Sequence, residues 1–271
     1  YPVNPPLVHL LPALPVVWAA PVTAWGDYEK QASESAVGAR PEWSTSLGFV
    51  RDNRERAKWF FAWARWTLIP LSLLGGYFCW RWARELYGTS AGFLALALWC
   101  LSPNVIAWSG TICPDAAAAA LGVLAGYFFW RWLIRPDAFD ALLAGITLGL
   151  ALLTKMTWLI LFGVWPLVWL VRIPSAGVPA CRTPWYKQVL QLIAILAVAQ
   201  LVLNLGYAFE GTFKRLDDLT FASRTLAGKD AIVEGGQGGN RFAQTWLGAV
   251  PVPLPSDYVR GIDLQKVDFE K

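Results

Sequence analysis

Two ionisable side chains stand in stretches of this sequence that are otherwise almost free of charge, and both suit chemistry at a phosphate. Asp115 ends a short link, 109–115, that holds no Lys or Arg and joins the apolar runs 91–108 and 116–133. The stretch 102–133 therefore reads as a membrane hairpin with a single carboxylate at its apex. Lys155 interrupts two further apolar runs, 139–153 and 156–171. A carboxylate in such a place binds a hydroxyl, or a metal ion bridging to phosphate, and an ammonium attracts the phosphate itself. Ionisable groups within apolar segments are costly to keep, which makes them candidates for function. Each also has a plainer reading. An acid at a helix N-terminus is favoured by the macrodipole, so Asp115 is read equally as a cap. Lys155 on its own reads first as a lysine snorkelling to the headgroups. Asn4, in Asn4-Pro5-Pro6, is the third candidate, as a substrate-binding amide or as part of a rigid turn.

The elements that must position these groups are set by composition. The chain has 271 residues, of which 56% are hydrophobic and 15% charged. Soluble domains average about 25% charged, so much of this surface faces lipid. Seventeen Trp are present, many beside Arg at the ends of apolar runs, as in Trp80-Arg81-Trp82 and Trp130-Arg131-Trp132. That pairing is the aromatic belt of a membrane–water interface. The net charge of +4 is tied to these helix ends and gives no basis for nucleic-acid binding. Cys79, Cys100, Cys113 and Cys181 show no CxxC spacing, and His9 is the one histidine, so neither a zinc site nor a disulfide framework is indicated.

The expected fold is an all-α polytopic membrane protein with about six transmembrane helices, at 62–80, 91–108, 116–133, 139–153, 156–171 and 189–208. Residues 1–61 form an outer loop with interfacial helices, the first of them in the proline-rich N-terminal stretch. From Arg51 the pattern turns helical, basic on one side and aromatic on the other. The runs on either side of Lys155 are each about 23 Å long as helices, short of a ~30 Å hydrocarbon core. Two short spans meeting at a break would leave Lys155 at or just below the membrane surface. Residues 209–271 are polar, an extracytoplasmic loop or the start of a further domain. Their glycine cluster (Gly235, Gly236, Gly238, Gly239) lacks the Lys-Ser/Thr of a P-loop and reads as a flexible loop. With no Met at the start and a charged run at the end, the expectation is a fragment of a longer membrane protein.

Loops after the first, third and fifth spans hold Arg81, Arg84, Arg131, Arg135, Arg172, Arg182 and Lys187, whereas those after the second and fourth hold only Lys155. The positive-inside rule makes the first set cytoplasmic. Asp115, Lys155, the N-terminal segment and the C-terminal segment then share the outer face. Arg51, Arg54, Arg56, Lys58 and Arg65, on the outer side of the first span, run against this rule.

Residues 1–210 resemble the GT-C superfamily of integral-membrane glycosyltransferases, in the branch of the dolichyl-phosphate-mannose–protein mannosyltransferases and the aminoarabinose transferases. The motifs are Asn4-Pro5-Pro6-Leu7, Arg84-Glu85-Leu86-Tyr87-Gly88, Leu101-Ser102-Pro103 leading to Pro114-Asp115, and Leu152-Leu153-Thr154-Lys155. The resemblance implies transfer of a sugar from a polyprenyl-phosphate donor to a glycan, lipid or protein acceptor on the outer face of a bacterial cytoplasmic membrane. It places the main catalytic base in an outer loop upstream of Tyr1. Asp115 becomes the acid of the second outer loop, assisting acceptor or metal, and Lys155 the partner of the donor phosphate. Asn4 stands where relatives often have His. No cofactor is required by these residues, although a divalent metal ion at Asp115 is compatible with them. The competing class is a polytopic transporter or lipid flippase, which would carry internal repeats and ionisable groups at the membrane midplane. No repeat is evident between the two halves. A non-enzymatic scaffold would not need Asp115 and Lys155 on one face.

Overall fold

A computed structural model describes residues 4–34, 42–172, 183–232 and 236–270. Cys181, Arg182 and Gly235 lie outside the described residues. The chain divides into two compact units, one of Asn4–His9 with Leu68–Ala208 and the other chiefly of Leu10–Thr67 and Phe209–Lys271. Among the described residues the regular elements are all helical, and the extended pairing is limited to two isolated bridges.

Helix α1, Leu7–Trp18, carries Pro12 and Pro15. It leaves Leu10, Leu14, Val17 and Trp18 exposed, an apolar face of the kind an interfacial helix turns to lipid. Helix α2 is Trp25–Glu34 and α3 is Glu42–Trp66. Asn53 of α3 clamps the link before α2: its Oδ1 accepts from the Val22 amide and its Nδ2 donates to the Val22 carbonyl, both at 2.9 Å. The next residue, Arg54, has φ 46° and ψ −124°, so α3 is kinked there.

The expected span 62–80 is divided in the structure. Its first residues end α3, and a new helix, α4, runs Ile69–Tyr87 with Pro70 in the first turn. Proline lacks the N–H a continuing helix needs and is well placed at a helix start. Helix α5, Thr89–Leu101, packs back against α4. The expected span 91–108 is likewise two pieces, because Ser102 is extended before Pro103 and α6, Pro103–Ser109, leaves α5 at 57°. Helix α7 is Pro114–Ile134. Helix α8, Ala138–Leu152, starts on the Asp137 carboxylate, which accepts from the Phe139 and Asp140 amides. A 3₁₀ turn at Met156–Ile160 leads into α9, Leu161–Arg172, and α10 is Trp185–Gly206.

Helices α7 and α10, of 21 and 22 residues, are long and apolar enough to cross a membrane one by one. The bent pair α5–α6 makes a third span if counted as one. Helix α8 and the stretch Met156–Arg172 are apolar but shorter. The centre of this unit is α8, which packs on α7 and α10. Gly145 and Gly149, one turn apart, let α10 approach: a Cβ on Gly145 would stand 2.8 Å from the Ile195 carbonyl oxygen. Small residues at this spacing are how apolar helices pack closely in lipid.

One end of this unit is tied by a polar network. The Tyr127 hydroxyl of α7 donates to Glu85 Oε1 of α4 at 2.8 Å, and Arg81 Nε donates to the same oxygen at 3.0 Å. Arg131 Nε donates to Asp140 Oδ2 of α8 at 3.1 Å, with the Asp140 side chain only 3% exposed. Both guanidinium groups lie against the Tyr127 ring. Three helices are joined here around two buried groups, Tyr127 and Asp140, with the guanidinium groups reaching outward to solvent.

In the other unit, residues 209–270 fold around buried Leu219, Phe221, Ala227 and Ala231. Helix α11, Ser256–Glu270, supports them from one side. Its Asp263, 2% exposed, accepts from the amides of Ala222 and Ser223 at 2.6 and 3.0 Å. Of the glycine cluster, Gly236, Gly238 and Gly239 take part in backbone hydrogen bonds. Gly239 and Phe221 exchange backbone bonds of 2.9 and 2.8 Å, and Gly238 N–H donates to the Asp230 carbonyl at 2.9 Å. Glycine is needed at Gly236 because a Cβ there would run into the Asp230 carbonyl.

Candidate active site at one end of the helical bundle

Asp115 owes its place to the start of α7. Cys113 is extended (φ −130°, ψ 140°) and Pro114 opens the helix, so the carboxylate projects from the first turn. Lys155 owes its place to the end of α8. Thr154, fully buried, turns its hydroxyl back onto the Ala151 carbonyl at 2.6 Å, and the Lys155 amide bonds the same carbonyl at 3.1 Å. Leu152, Leu153 and Met156 on either side are buried. Lys155 itself is extended, and its side chain leaves the core.

The two side chains meet, with Lys155 Nζ donating to Asp115 Oδ1 at 2.7 Å. Asp115 Oδ2 accepts from the Cys113 thiol at 3.2 Å. The pair is open, with the Lys155 and Asp115 side chains 39% and 44% exposed. An ion pair this accessible adds little to stability, roughly 0–1 kcal/mol, and a ligand reaches it without unfolding anything. An ammonium has three N–H donors, and one is used here.

Asn4 comes to the same end of the bundle. The Leu7 amide donates to the Leu153 carbonyl at 3.0 Å, two residues before Lys155. Val8 packs with Ala117, two residues after Asp115, and with Leu68 and Ile112. Pro5 is fully buried. The Asn4 side chain hydrogen-bonds to neither member of the pair.

Two neighbours were not singled out in the sequence. Cys113 was noted there only as a cysteine beside an apolar run, although its place two residues before Asp115 puts it in reach of the carboxylate. Trp158 read as one more apolar residue. Its indole sits in the notch left by Gly122 of α7, so close that a Cβ on Gly122 would overlap the ring. Gly122 is two helical turns along from Asp115, and Trp158 is one 3₁₀ turn along from Lys155. The turn carrying Lys155 is therefore pinned to α7 at two points.

The surroundings of Asp115 do not fit a protein-held divalent ion. Its nearest partners are an ammonium and a thiol, and among the described residues no group of three His, Cys, Asp or Glu gathers that could hold a metal. Divalent magnesium or calcium asks for several oxygen ligands.

Residues 61–203, just over half of the chain, match the family model described as dolichyl-phosphate-mannose-protein mannosyltransferase. The chain belongs to this family. The matched stretch contains Asp115, Cys113, Lys155 and Trp158, whereas Asn4 and residues 204–271 lie outside it. No match is found among curated proteins or solved structures. As a member of this mannosyltransferase family built of apolar helices, the chain is an integral-membrane glycosyltransferase.

Proposed function

We propose that this glycosyltransferase moves a sugar from a polyprenyl-phosphate donor to an acceptor on the outer face of a bacterial cytoplasmic membrane, and that Lys155 and Asp115 form the sugar-phosphate site. The observation that carries this reading is the 2.7 Å contact between two ionisable side chains from different elements, open at one end of an apolar bundle. In the proposed reaction the bond between the sugar's C1 and the donor phosphate oxygen breaks, and its electron pair stays on the phosphate. The acceptor oxygen bonds to C1, and its proton goes to a carboxylate, which the family resemblance puts upstream of Tyr1. Lys155 meets the charge growing on the departing phosphate with its two uncommitted N–H groups, where charge develops in the transition state. Asp115 orients Lys155 and assists the acceptor by accepting from a hydroxyl beside the attacking one, while Cys113 steadies its other oxygen. Asn4, at the same end, contacts the sugar.

The test uses the full-length protein in nanodiscs with polyprenyl-phosphate sugars and membrane extract as acceptor, following release of polyprenyl phosphate. Saturable release coupled to a glycosylated product is expected. Movement of intact donor between leaflets, with no release, would overturn the reading in favour of a flippase.

A further inference from the structure

Residues 209–271 carry a second cluster of charge, wholly within their own fold. Arg224, Lys229, Asp230 and Arg241 surround an open cavity of about 510 Å³ with Gly228 and Asn240. Cavities that hold small ligands measure about 300–1,000 Å³.

The loops that bring these groups together are fixed. Asn240 is fully engaged: Nδ2 donates to the carbonyls of Leu216 and Leu219 at 2.6 and 2.7 Å, and Oδ1 accepts from the Phe242 amide at 2.8 Å. The Arg241 amide donates to the Leu226 carbonyl at 2.9 Å, and one guanidinium nitrogen, Nη1, donates to the Thr225 carbonyl at 2.8 Å. The remaining donors of that fork stay available. Beside Arg241, Gly228 takes φ +75°, a conformation other residues resist, and turns the chain so that Lys229 and Asp230 follow at once. Among the described residues neither Lys229 nor Arg241 forms an ion pair with a carboxylate.

Cations held on rigid loops without a protein counter-charge call for an anion from outside, and an Arg fork beside a Lys suits a phosphate oxygen set. Asp230 adds a discrimination. Its carboxylate repels a bare anion but accepts hydrogen bonds from hydroxyls. A ligand with a phosphate at one end and hydroxyls beside it meets both requirements.

We propose that this cavity binds a phosphorylated saccharide, with its phosphate on Lys229 and Arg241 and its hydroxyls on Asp230. The site is separate from the Asp115–Lys155 pair and does not depend on that pair's role. The test is calorimetric titration of the full-length protein in nanodiscs of zwitterionic lipid, carrying Asp115→Asn and Lys155→Ala so that the bundle site cannot contribute. The probes are the 6-phosphates of glucose, mannose and galactose, then inorganic phosphate and glucose.

Saturable binding of at least one sugar phosphate is expected, tighter than inorganic phosphate and weakening as salt is added. Lys229→Gln should weaken it at least tenfold, as should Arg241→Gln, and Asp230→Asn should close the gap to inorganic phosphate. Lys229 is exposed and makes no hydrogen bond among the described residues, so its variant keeps the fold even if the Arg241 variant does not. Four results would overturn the proposal: no sugar phosphate binding, equal affinity for inorganic phosphate, indifference to Lys229→Gln, or binding seen only with Asp115 and Lys155 intact. Displacement by phosphatidylglycerol in the nanodisc would do so too, and would make this a lipid-headgroup site.

Discussion

Helix α7 has a charged contact at each end, and the two contacts are built for different purposes. At its C-terminal end Arg131 meets an Asp140 that water scarcely touches, beside a fully buried Tyr127 that reaches across to α4. At its N-terminal end Asp115 meets Lys155 with both side chains well exposed and only a thiol in attendance. The first joins three helices and keeps its carboxylate, 3% exposed, out of a ligand's reach. The second joins one helix end to one turn and leaves donors unspent. A polar contact that is sealed stabilises geometry, and one that is open at the edge of an apolar bundle is free to do chemistry.

Removing the carboxylate at the open end sharpens this contrast most. Asp115→Asn should lower kcat/KM for polyprenyl-phosphate release about 100-fold, about 2.7 kcal/mol in the transition state. The unfolding temperature in detergent should stay within a degree or two. A matched fall in unfolding temperature would show that this end, too, is structural.

The sealed end should respond the opposite way. Asp140→Ala leaves Arg131 without its buried partner, which costs about 2 kcal/mol of stability after allowing for the partial exposure of Arg131. Turnover per folded molecule should be unchanged. Chemical denaturation alongside single-turnover kinetics separates the two effects.

How much of this was legible in the sequence follows from what each element depends on. Helices α7 and α8 lie within two residues of the expected runs and α10 begins four residues before its own, because uninterrupted apolar runs between charges define them. The divisions at Pro70 and at Ser102-Pro103 were missed as breaks, since proline is tolerated inside membrane helices and nothing local says which outcome holds. Asp115 and Lys155 stood out as lone charges in apolar stretches, and the structure places them in contact. Asp140 did not stand out, because its partner Arg131 had been accounted for by the positive-inside rule. The fit of Trp158 into Gly122 depends on how two elements meet, which no local pattern reveals. The same holds for Gly236 and Gly239, whose close approach to Asp230 is set by how the chain folds back and has no signal in the glycine-rich composition.

A smaller effect is expected where Trp158 meets α7. Gly122→Ala puts a methyl group where the indole lies, an overpacking that costs about 1–3 kcal/mol. Because the same turn carries Lys155, KM for the donor should rise several-fold while kcat changes less. A loss of stability with KM unchanged would separate the turn from substrate binding.

The smallest effect concerns the C-terminal fold. Although desolvation pushes its carboxyl up, Glu270 is held below its ordinary 4.5 by hydrogen bonds from the Thr225 hydroxyl and from the amides of Arg224 and Thr225. A lowered folded-state value means that its contribution is complete above the unfolded value and is lost as pH falls through the folded one. Protection of the Arg224 and Thr225 amides, measured as exchange relative to the intrinsic rate at the same pH, should therefore fall below about pH 4.5 in the parent protein. In Glu270→Gln that protection should be low and nearly independent of pH.

The most direct test of the Asp115–Lys155 site is a paired measurement on Lys155→Met, which keeps an unbranched side chain reaching to Cε and removes its charge. Donor turnover and unfolding temperature are measured on the same nanodisc preparation. The account predicts a loss of at least 100-fold in kcat/KM with an unfolding temperature close to that of the parent. Turnover within a few-fold of the parent would contradict it, because the donor phosphate would then have found its positive charge elsewhere.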